Sequence, residues 1–194
     1  MIGGKNGGTI YQWTLGWYVS AAEVAVKFGH KNIAKLLMDR SPPDVKLLVA
    51  CWLGDEKTAR TLRGTEIAES DRNQIAHAAR NNVARSVRLM LEFGFPVDAR
   101  GQEGGTPLHW AAWHGNLAML KTILRHNPPL EIEDTAHHGK PISWAIYGSE
   151  HGWRPGRGNY PACVKALIKA GAKLPAKLDG SKAVQNVLRR HGIK

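Results

Sequence analysis

The sequence lacks the features that mark several large classes of protein. It contains two cysteines, Cys51 and Cys163, and both stand in apolar patterns, which favours two buried free thiols over a disulfide scaffold. Its longest apolar stretch, Leu47 to Leu53, is far shorter than the roughly 18 residues of a membrane-spanning helix. The first residues lack the charged and then apolar layout of a signal peptide. These absences predict a cytoplasmic protein with no membrane partner.

Catalytic motifs are absent as well. Gly3-Gly4-Lys5 and Gly156-Arg157-Gly158 have neither the spacing nor the strand-then-helix context of a phosphate-binding loop. Ser149, Glu150 and His151 are consecutive, whereas a catalytic triad brings its members together from separated positions. We therefore expect no enzyme and no cofactor.

A metal site is not expected either. The sequence has no CxxC or HExxH motif. Four histidines could converge only if a hairpin and an inserted loop fold over one groove, and no two of them have the i, i+4 spacing of helical ligands: His114, His137, His138 and His151.

What is present indicates a folded domain with an uneven charge. The hydrophobic fraction is 43% and the charged fraction 22%, both ordinary for a globular protein. The net charge is +11, and the segment from His151 to Lys194 holds ten Lys or Arg residues and one acid, Asp179. Such a basic stripe could track nucleic-acid phosphates. It is more often the pattern of a solvated helix face and a soluble cap, and no nucleic-acid-binding module accompanies it.

Internal repeats dominate the rest of the chain. The segment Leu91-Glu92-Phe93-Gly94 is echoed 33 residues later at Leu124-Arg125-His126-Asn127, and again at Ile168-Lys169-Ala170-Gly171. Helix-breaking residues separate paired helical patterns at Gly29, Gly54, Asn81 and Gly115. A regular period of this length indicates a solenoid of helical hairpins.

The unit from Val97 to Ile132 is the best defined. Thr106 is a natural helix N-cap, and Pro107 suits the first helical position. Small Ala111 and Ala112 permit close helix packing. The second helix has an apolar stripe at helical spacing, formed by Leu117, Leu120, Ile123 and Leu124.

The stretch from Gly104 to Asn116 closely resembles the ankyrin signature, with its T-P-L-H-x-A core intact from Thr106 to Ala111. Val97 to Arg100 resembles the strand of the ankyrin hairpin. The resemblance implies an all-α repeat solenoid, in which stacked helix-turn-helix repeats with short hairpin loops end in a C-terminal capping helix.

The resemblance extends over one domain, residues 1–194. We expect degenerate repeats at about 9–41, 43–64 and 71–96, the best repeat at 97–132, a repeat with an insertion at 133–175, and a cap at 181–192.

The resemblance also implies a binding surface. In ankyrin repeats the positions of Trp113 and His114 point into the concave groove, and hairpin tips beside it often contact partners. The alternatives are that Trp113 packs on the neighbouring repeat and that the tips are solvated turns. Trp110 is expected to support packing, and His109 to hold the turn through backbone hydrogen bonds.

The insertion from Gly148 to Tyr160 is rich in Gly but also contains Trp153, Tyr160 and two Arg residues. Aromatic and Arg residues are preferred at interfaces, so we expect this loop to form one wall of the groove.

The first hypothesis is a monomeric module that binds a partner protein in the groove, and the second is polyanion binding through the basic C-terminal face. The expected partner-binding residues are Glu103, Trp113, His114, His137, His138, Tyr147 and Trp153.

Overall fold

The computed structural model describes residues 20–153 and 156–194 and is all-helical over these ranges, which confirms the predicted fold class. Residues 9–19 of the first predicted repeat, and Arg154 and Pro155 of the insertion, lie outside the described residues. The eleven α-helices of the described part are α1 (Ala21–Lys27), α2 (Lys31–Arg40), α3 (Pro43–Leu53), α4 (Glu56–Thr61), α5 (Gln74–Arg80), α6 (Ala84–Glu92), α7 (Pro107–Trp113), α8 (Leu117–Leu124), α9 (Pro141–His151), α10 (Tyr160–Lys169) and α11 (Lys182–Arg190). Two short 3-10 turns lie at Glu69–Asp71 and Gln102–Gly104.

Consecutive helices form antiparallel pairs, and the pairs stack. The first helices α5, α7 and α9 pack side by side, as do the second helices α6, α8 and α10. Helix α11 packs on α10 and covers the end of the stack with Val184 and Leu188, both fully buried. The division into individual repeats with the boundaries given above stays a prediction.

Side-chain caps fix where these helices begin. Ser20 and Glu23 form a reciprocal capping box at the start of α1. The Asn116 side chain accepts from the Met119 N–H at 3.0 Å at the start of α8. Because a cap satisfies N–H groups that have no intrahelical partner, each sets the direction in which the chain enters its helix.

Small residues let the first helices approach one another closely. Ala78 and Ala79 in α5, Ala111 and Ala112 in α7, and Ala145 in α9 are all fully buried. Leu, Met and Ile residues of the second helices fill the remaining core, which runs without interruption from α3 to α11. The stack therefore buries apolar surface that no single pair could bury alone.

The expected strand at Val97–Arg100 is wrong, since Val97 and Asp98 form a turn, Ala99 and Arg100 have no regular structure, and the structure has no strand among its described residues. The Ala99 N–H bonds back to the Pro96 carbonyl, and the Arg100 guanidinium donates to the carbonyls of Gly104 and Glu133 at 3.1 and 2.8 Å. The Arg100 side chain thus satisfies carbonyl groups on both sides of the first hairpin tip, where no strand pairing does so.

The insertion is shorter than the sequence suggested. Residues Gly148 to His151 belong to the last turn of α9, and the loop begins at Gly152. The helix continues because its apolar face, with Ile146, Gly148 and Ser149 buried, still packs against the stack.

Cys51 and Cys163 are free and buried, as predicted, and burial raises the pKa of each thiol to about 12. In the described ranges no helix combines the length and the apolar character required to cross a bilayer.

Candidate functional site

Four aromatic side chains form a two-by-two array on α7 and α9. Trp110 and Trp113 are three residues apart on α7, and Trp144 and Tyr147 are three apart on α9, so each pair lies on one helix face. The two pairs are offset by 34 residues, one repeat, and the stacking of α7 on α9 therefore places them side by side. The rings of Trp110 and Trp144 meet edge to face at 4.9 Å, and those of Trp113 and Tyr147 stack at 6.2 Å.

Trp153, from the loop after α9, adds a fifth ring. Its centre lies 5.8 Å from that of Trp110 and 6.1 Å from that of Trp113. These rings and the two hairpin tips enclose a cavity of about 580 Å³, hereafter the aromatic cavity. It is lined by Glu103, Trp110, Trp113, His137, Gly139, Ser143, Trp144, Tyr147 and Trp153. Such a volume suits a bound side chain or short peptide segment.

The hairpin tip that carries His137 is organised by the buried carboxylate of Asp134. One oxygen accepts the N–H groups of Ala136 and His137 at 2.9 and 2.6 Å. The other accepts the Gly139 N–H at 2.9 Å and the Trp144 indole N–H at 2.8 Å. Burial alone would raise the pKa of Asp134, but these hydrogen bonds outweigh it and hold the pKa below its usual value. The carboxylate is therefore ionised at neutral pH and fixes the Trp144 ring.

The other tip carries Glu103 with a positive φ of 61°. The Glu103 carbonyl accepts the N–H groups of Thr135 and Ala136 at 3.0 and 3.2 Å, which joins the two tips. A positive φ is rare for residues other than Gly and costs conformational energy. The stack holds Glu103 in this conformation, and its side chain remains exposed at the cavity rim.

His109 has the structural role expected of it. Its Nδ1 lies 3.1 Å from the Thr106 N–H and 2.8 Å from the Thr106 hydroxyl, and its Nε2 lies 3.0 Å from the Gly139 carbonyl. Burial lowers the pKa of His109 to about 4, so the ring is neutral and bridges the start of α7 to the next hairpin tip.

The loop that supplies Trp153 is attached to the end of α7. The Tyr160 hydroxyl donates to the Trp113 carbonyl at 3.0 Å, and the Asn159 N–H donates to the Gly115 carbonyl at 2.9 Å. Gly115 and Gly158 pass so closely that a Cβ atom on Gly115 would lie 2.8 Å from the Gly158 Cα. The loop can lie this close to α7 only because both positions are glycine.

The structure brings five of the seven expected binding residues together. Lining the aromatic cavity are Glu103, Trp113, His137, Tyr147 and Trp153. His114 lies beside it, in a smaller depression of about 150 Å³, and its Nε2 lies 2.8 Å from the Arg80 carbonyl. His138 does not reach the cavity; it is exposed and 3.9 Å from the Glu133 carboxylate.

Sequence reasoning missed the role of two rings. Trp110, which is expected to support packing, is buried in the core and also lines the cavity, and Trp144, which no motif singles out, does the same. The available signal was the register: Trp110 with Trp144, and Trp113 with Tyr147, occupy equivalent positions of adjacent repeats.

Within the described ranges, no three His, Cys, Asp or Glu side chains gather closely enough to hold a metal ion. His137 and His138 instead diverge at their hairpin tip, one lining the cavity and the other facing solvent.

Comparisons with known proteins agree with this architecture. The family model for ankyrin repeats (3 copies) matches residues 47–136. A segment of 70 residues, 35% of this chain, is 34% identical to the calmodulin-binding transcription activator CBT of Oryza sativa subsp. japonica. A segment of 49 residues, 25% of this chain, is 41% identical to the acyl-CoA-binding domain-containing protein 2 of Arabidopsis thaliana. These matches span 8% and 14% of the respective relatives.

The matched range begins in α3 and ends in the hairpin tip before α9, so it contains α7, the helix that carries Trp110 and Trp113. The match shows that residues 47–136 consist of ankyrin repeats, and the stacked helix pairs agree with it.

Proposed function

We propose that this protein binds a partner protein through the aromatic cavity between α7, α9 and their hairpin tips. Ankyrin repeats support a general role in protein–protein interaction. The observation that carries the specific site is the exposure of large aromatic side chains at one cavity: Tyr147 is 55% exposed and Trp153 is 49% exposed. Exposed aromatic residues at a shaped cavity are the typical anchors of protein interfaces.

The cavity has the layout of an interface hot spot. Buried Trp110 and Trp144 form a rigid floor, Trp113 and Tyr147 form a wall, and polar residues of the two tips form the rim. A rigid apolar floor costs little entropy when a ligand binds, and a polar rim excludes water around the contact.

Affinity capture from a soluble extract of the source organism tests this proposal. Tyr147→Ala removes an exposed ring without disturbing the core, and we expect it to weaken partner binding by roughly 2 kcal/mol, or about thirtyfold in Kd. His138→Ala, at a neighbouring tip outside the cavity, is the matched control and should bind as wild type does. Retention of the same partner by Tyr147→Ala and by Trp113→Ala would contradict the proposal.

A second candidate function rests on the basic C-terminal face. Its side chains are all exposed, and no salt bridge joins them to an acid within residues 20–153 and 156–194: Lys165, Lys169, Lys173, Lys177, Lys182, Arg189, Arg190 and Lys194. A polyanion bound there should dissociate steeply with added salt.

The same capture experiment separates the two candidates. Binding that survives moderate salt and nuclease treatment but is lost in Tyr147→Ala supports the cavity. Binding that depends on low salt and intact nucleic acid, and is lost when Lys165, Lys169 and Arg189 are changed to Glu, supports the basic face instead.

A further inference from the structure

The aromatic cavity presents ring faces that favour a positive charge. The π-face of an aromatic ring is electronegative and attracts a cation within about 6 Å, most strongly when the ring is Trp. Five rings belong to this cavity, four of them Trp. The edge-to-face pairs Trp110–Trp144 and Trp113–Trp153 turn these faces in different directions, as a cage for a single group requires.

The protein already places one guanidinium group against this cluster. The guanidinium carbon of Arg80, on α5, lies 5.2 Å from the centre of the Trp110 ring and 5.1 Å from that of Trp153. Arg80 is buried and is not among the residues that line the cavity. The cluster therefore accepts a guanidinium on one side, while Trp113, Trp144 and Tyr147 line the cavity.

Two carboxylates contribute negative charge at this site. Glu103 stands at the rim, and in the part of the chain that the structure describes no salt bridge engages it. Asp134 accepts the Trp144 indole N–H at 2.8 Å, and a charged acceptor at the indole edge makes the ring face more electronegative. The positive φ of Glu103 is a cost that a glycine would avoid, which is consistent with a use for its side chain.

The shape and hydration of the cavity distinguish among cations. A lysine ammonium is a compact, strongly hydrated charge that would lose most of its water among these rings and gain few acceptors there, Glu103 among them. A guanidinium is weakly hydrated, stacks flat on aromatic rings, and directs paired N–H donors at a carboxylate. Glu103 offers such a carboxylate at the rim, beside the stacked rings of Trp113 and Tyr147.

We propose that the aromatic cavity binds an arginine side chain of a partner protein, with its guanidinium on the Trp113 and Tyr147 rings and its N–H groups donated to Glu103. This inference rests on the proposed function and specifies the chemistry of the group that enters the cavity. It requires no covalent step and no bound metal.

Titration with short peptides tests the inference directly. The probe is the capped pentapeptide Gly-Gly-Arg-Gly-Gly, compared with the same peptide carrying citrulline, which keeps the shape of arginine and removes its charge. Binding is followed through the indole N–H signals in NMR spectra of the full chain. We expect the citrulline peptide to bind about fivefold more weakly or worse, the effect of losing roughly 1 kcal/mol of cation–π and ion-pair attraction.

Two variants assign the effect to the cavity. Glu103→Gln preserves the size of the side chain. It should lower the affinity for the arginine peptide several-fold and leave the affinity for the citrulline peptide unchanged. Tyr147→Ala should also lower the affinity for the arginine peptide. His138→Ala should bind both peptides with the affinity of the wild type. Far-UV circular dichroism of each variant confirms that the helices remain.

Equal affinity for the arginine and citrulline peptides would overturn the inference, because the cavity would not then distinguish charge. Tighter binding of a peptide with trimethyllysine than of the arginine peptide would also overturn it, in favour of an alkylated ammonium. If neither peptide binds while partner capture still depends on Tyr147, the arginine assignment fails and the proposed function stands. If capture does not depend on Tyr147, the proposed function fails as well.

Discussion

At the scale of single residues, Glu103 is unusual because its backbone adopts a conformation that glutamate rarely takes. Non-glycine residues rarely adopt a φ of 61°, and the chain places glycine immediately after it, at Gly104 and Gly105. The conformation is imposed by the neighbouring tip, whose Thr135 and Ala136 donate to the Glu103 carbonyl. At this position the backbone conformation therefore favours glycine, whereas the proposed binding requires the glutamate side chain.

Two variants at Glu103 separate the backbone cost from the loss of the side chain. We expect Glu103→Gly to be more stable than Glu103→Ala by about 1 kcal/mol in free energy of unfolding, because only glycine adopts this φ without strain. Urea denaturation monitored by circular dichroism measures the difference. Both variants should lose the partner's affinity for the cavity. Equal stabilities would show that the backbone at this tip relaxes when the side chain is shortened.

At the scale of elements, the loop between α9 and α10 depends on close backbone contact with α7. A Cβ atom on Gly158 would lie 2.7 Å from the His114 carbonyl oxygen and 2.6 Å from the Tyr160 ring. The hydrogen bond from the Tyr160 hydroxyl to the Trp113 carbonyl lies in the same region. The position of Trp153 at the cavity thus depends on a glycine five residues further along the chain.

We therefore predict that Gly158→Ala displaces the loop and opens the cavity. The overpacking should cost about 1–3 kcal/mol of stability, unless the loop moves away and the cost appears as lost binding. Limited proteolysis measures the displacement, since a detached loop is cut faster within Gly152–Asn159. Arg157→Ala, at an exposed neighbouring position, is the control. Unchanged cleavage and unchanged affinity in Gly158→Ala would refute the role of this contact.

At the scale of the whole molecule, two buried histidines make the stability of the stack sensitive to acid. Burial lowers the pKa of His109 to about 4, and burial followed by the charge of Arg80 lowers the pKa of His77 to about 4. In the unfolded chain both pKa values are about 6.5. The unfolded state therefore binds more protons than the folded state between these values.

The expected outcome is a loss of stability as the pH falls. Each histidine contributes at most about 3 kcal/mol to the free energy of unfolding. This contribution is fully present above about pH 6.5 and decreases as the pH falls towards 4. Urea denaturation at a series of pH values measures it. The double variant His77→Gln/His109→Gln should flatten the dependence in this range, whereas His30→Gln, at an exposed helix start, should not. An unchanged slope in the double variant would assign the acid sensitivity elsewhere.

Much of the architecture could be predicted from the sequence. Repeat spacing, the T-P-L-H-x-A segment and the helix breakers at Gly54 and Gly115 indicate stacked helical hairpins, because helix caps and apolar periodicity are local properties. The burial of both cysteines follows from the same local patterns, and the hydrogen bonds of His109 are those that the ankyrin resemblance implies. Five of the seven residues named for binding lie at one cavity: four occupy positions that the repeat fixes, and Trp153 comes from the insertion.

The cavity itself was decided by tertiary structure. Trp110 lines the cavity because Trp144, one repeat further along the chain, packs against it. Trp153 completes the cavity from a loop of irregular length, where its ring contacts those of Trp110 and Trp113. His137 lines the cavity, whereas His138 has a positive φ of 54° and faces solvent, and no spacing rule specifies this difference. Local sequence determined the helices and their order, because caps and apolar stripes act over a few residues. The contacts between repeats determined the cavity, because its rings come from three segments that meet only in the folded stack.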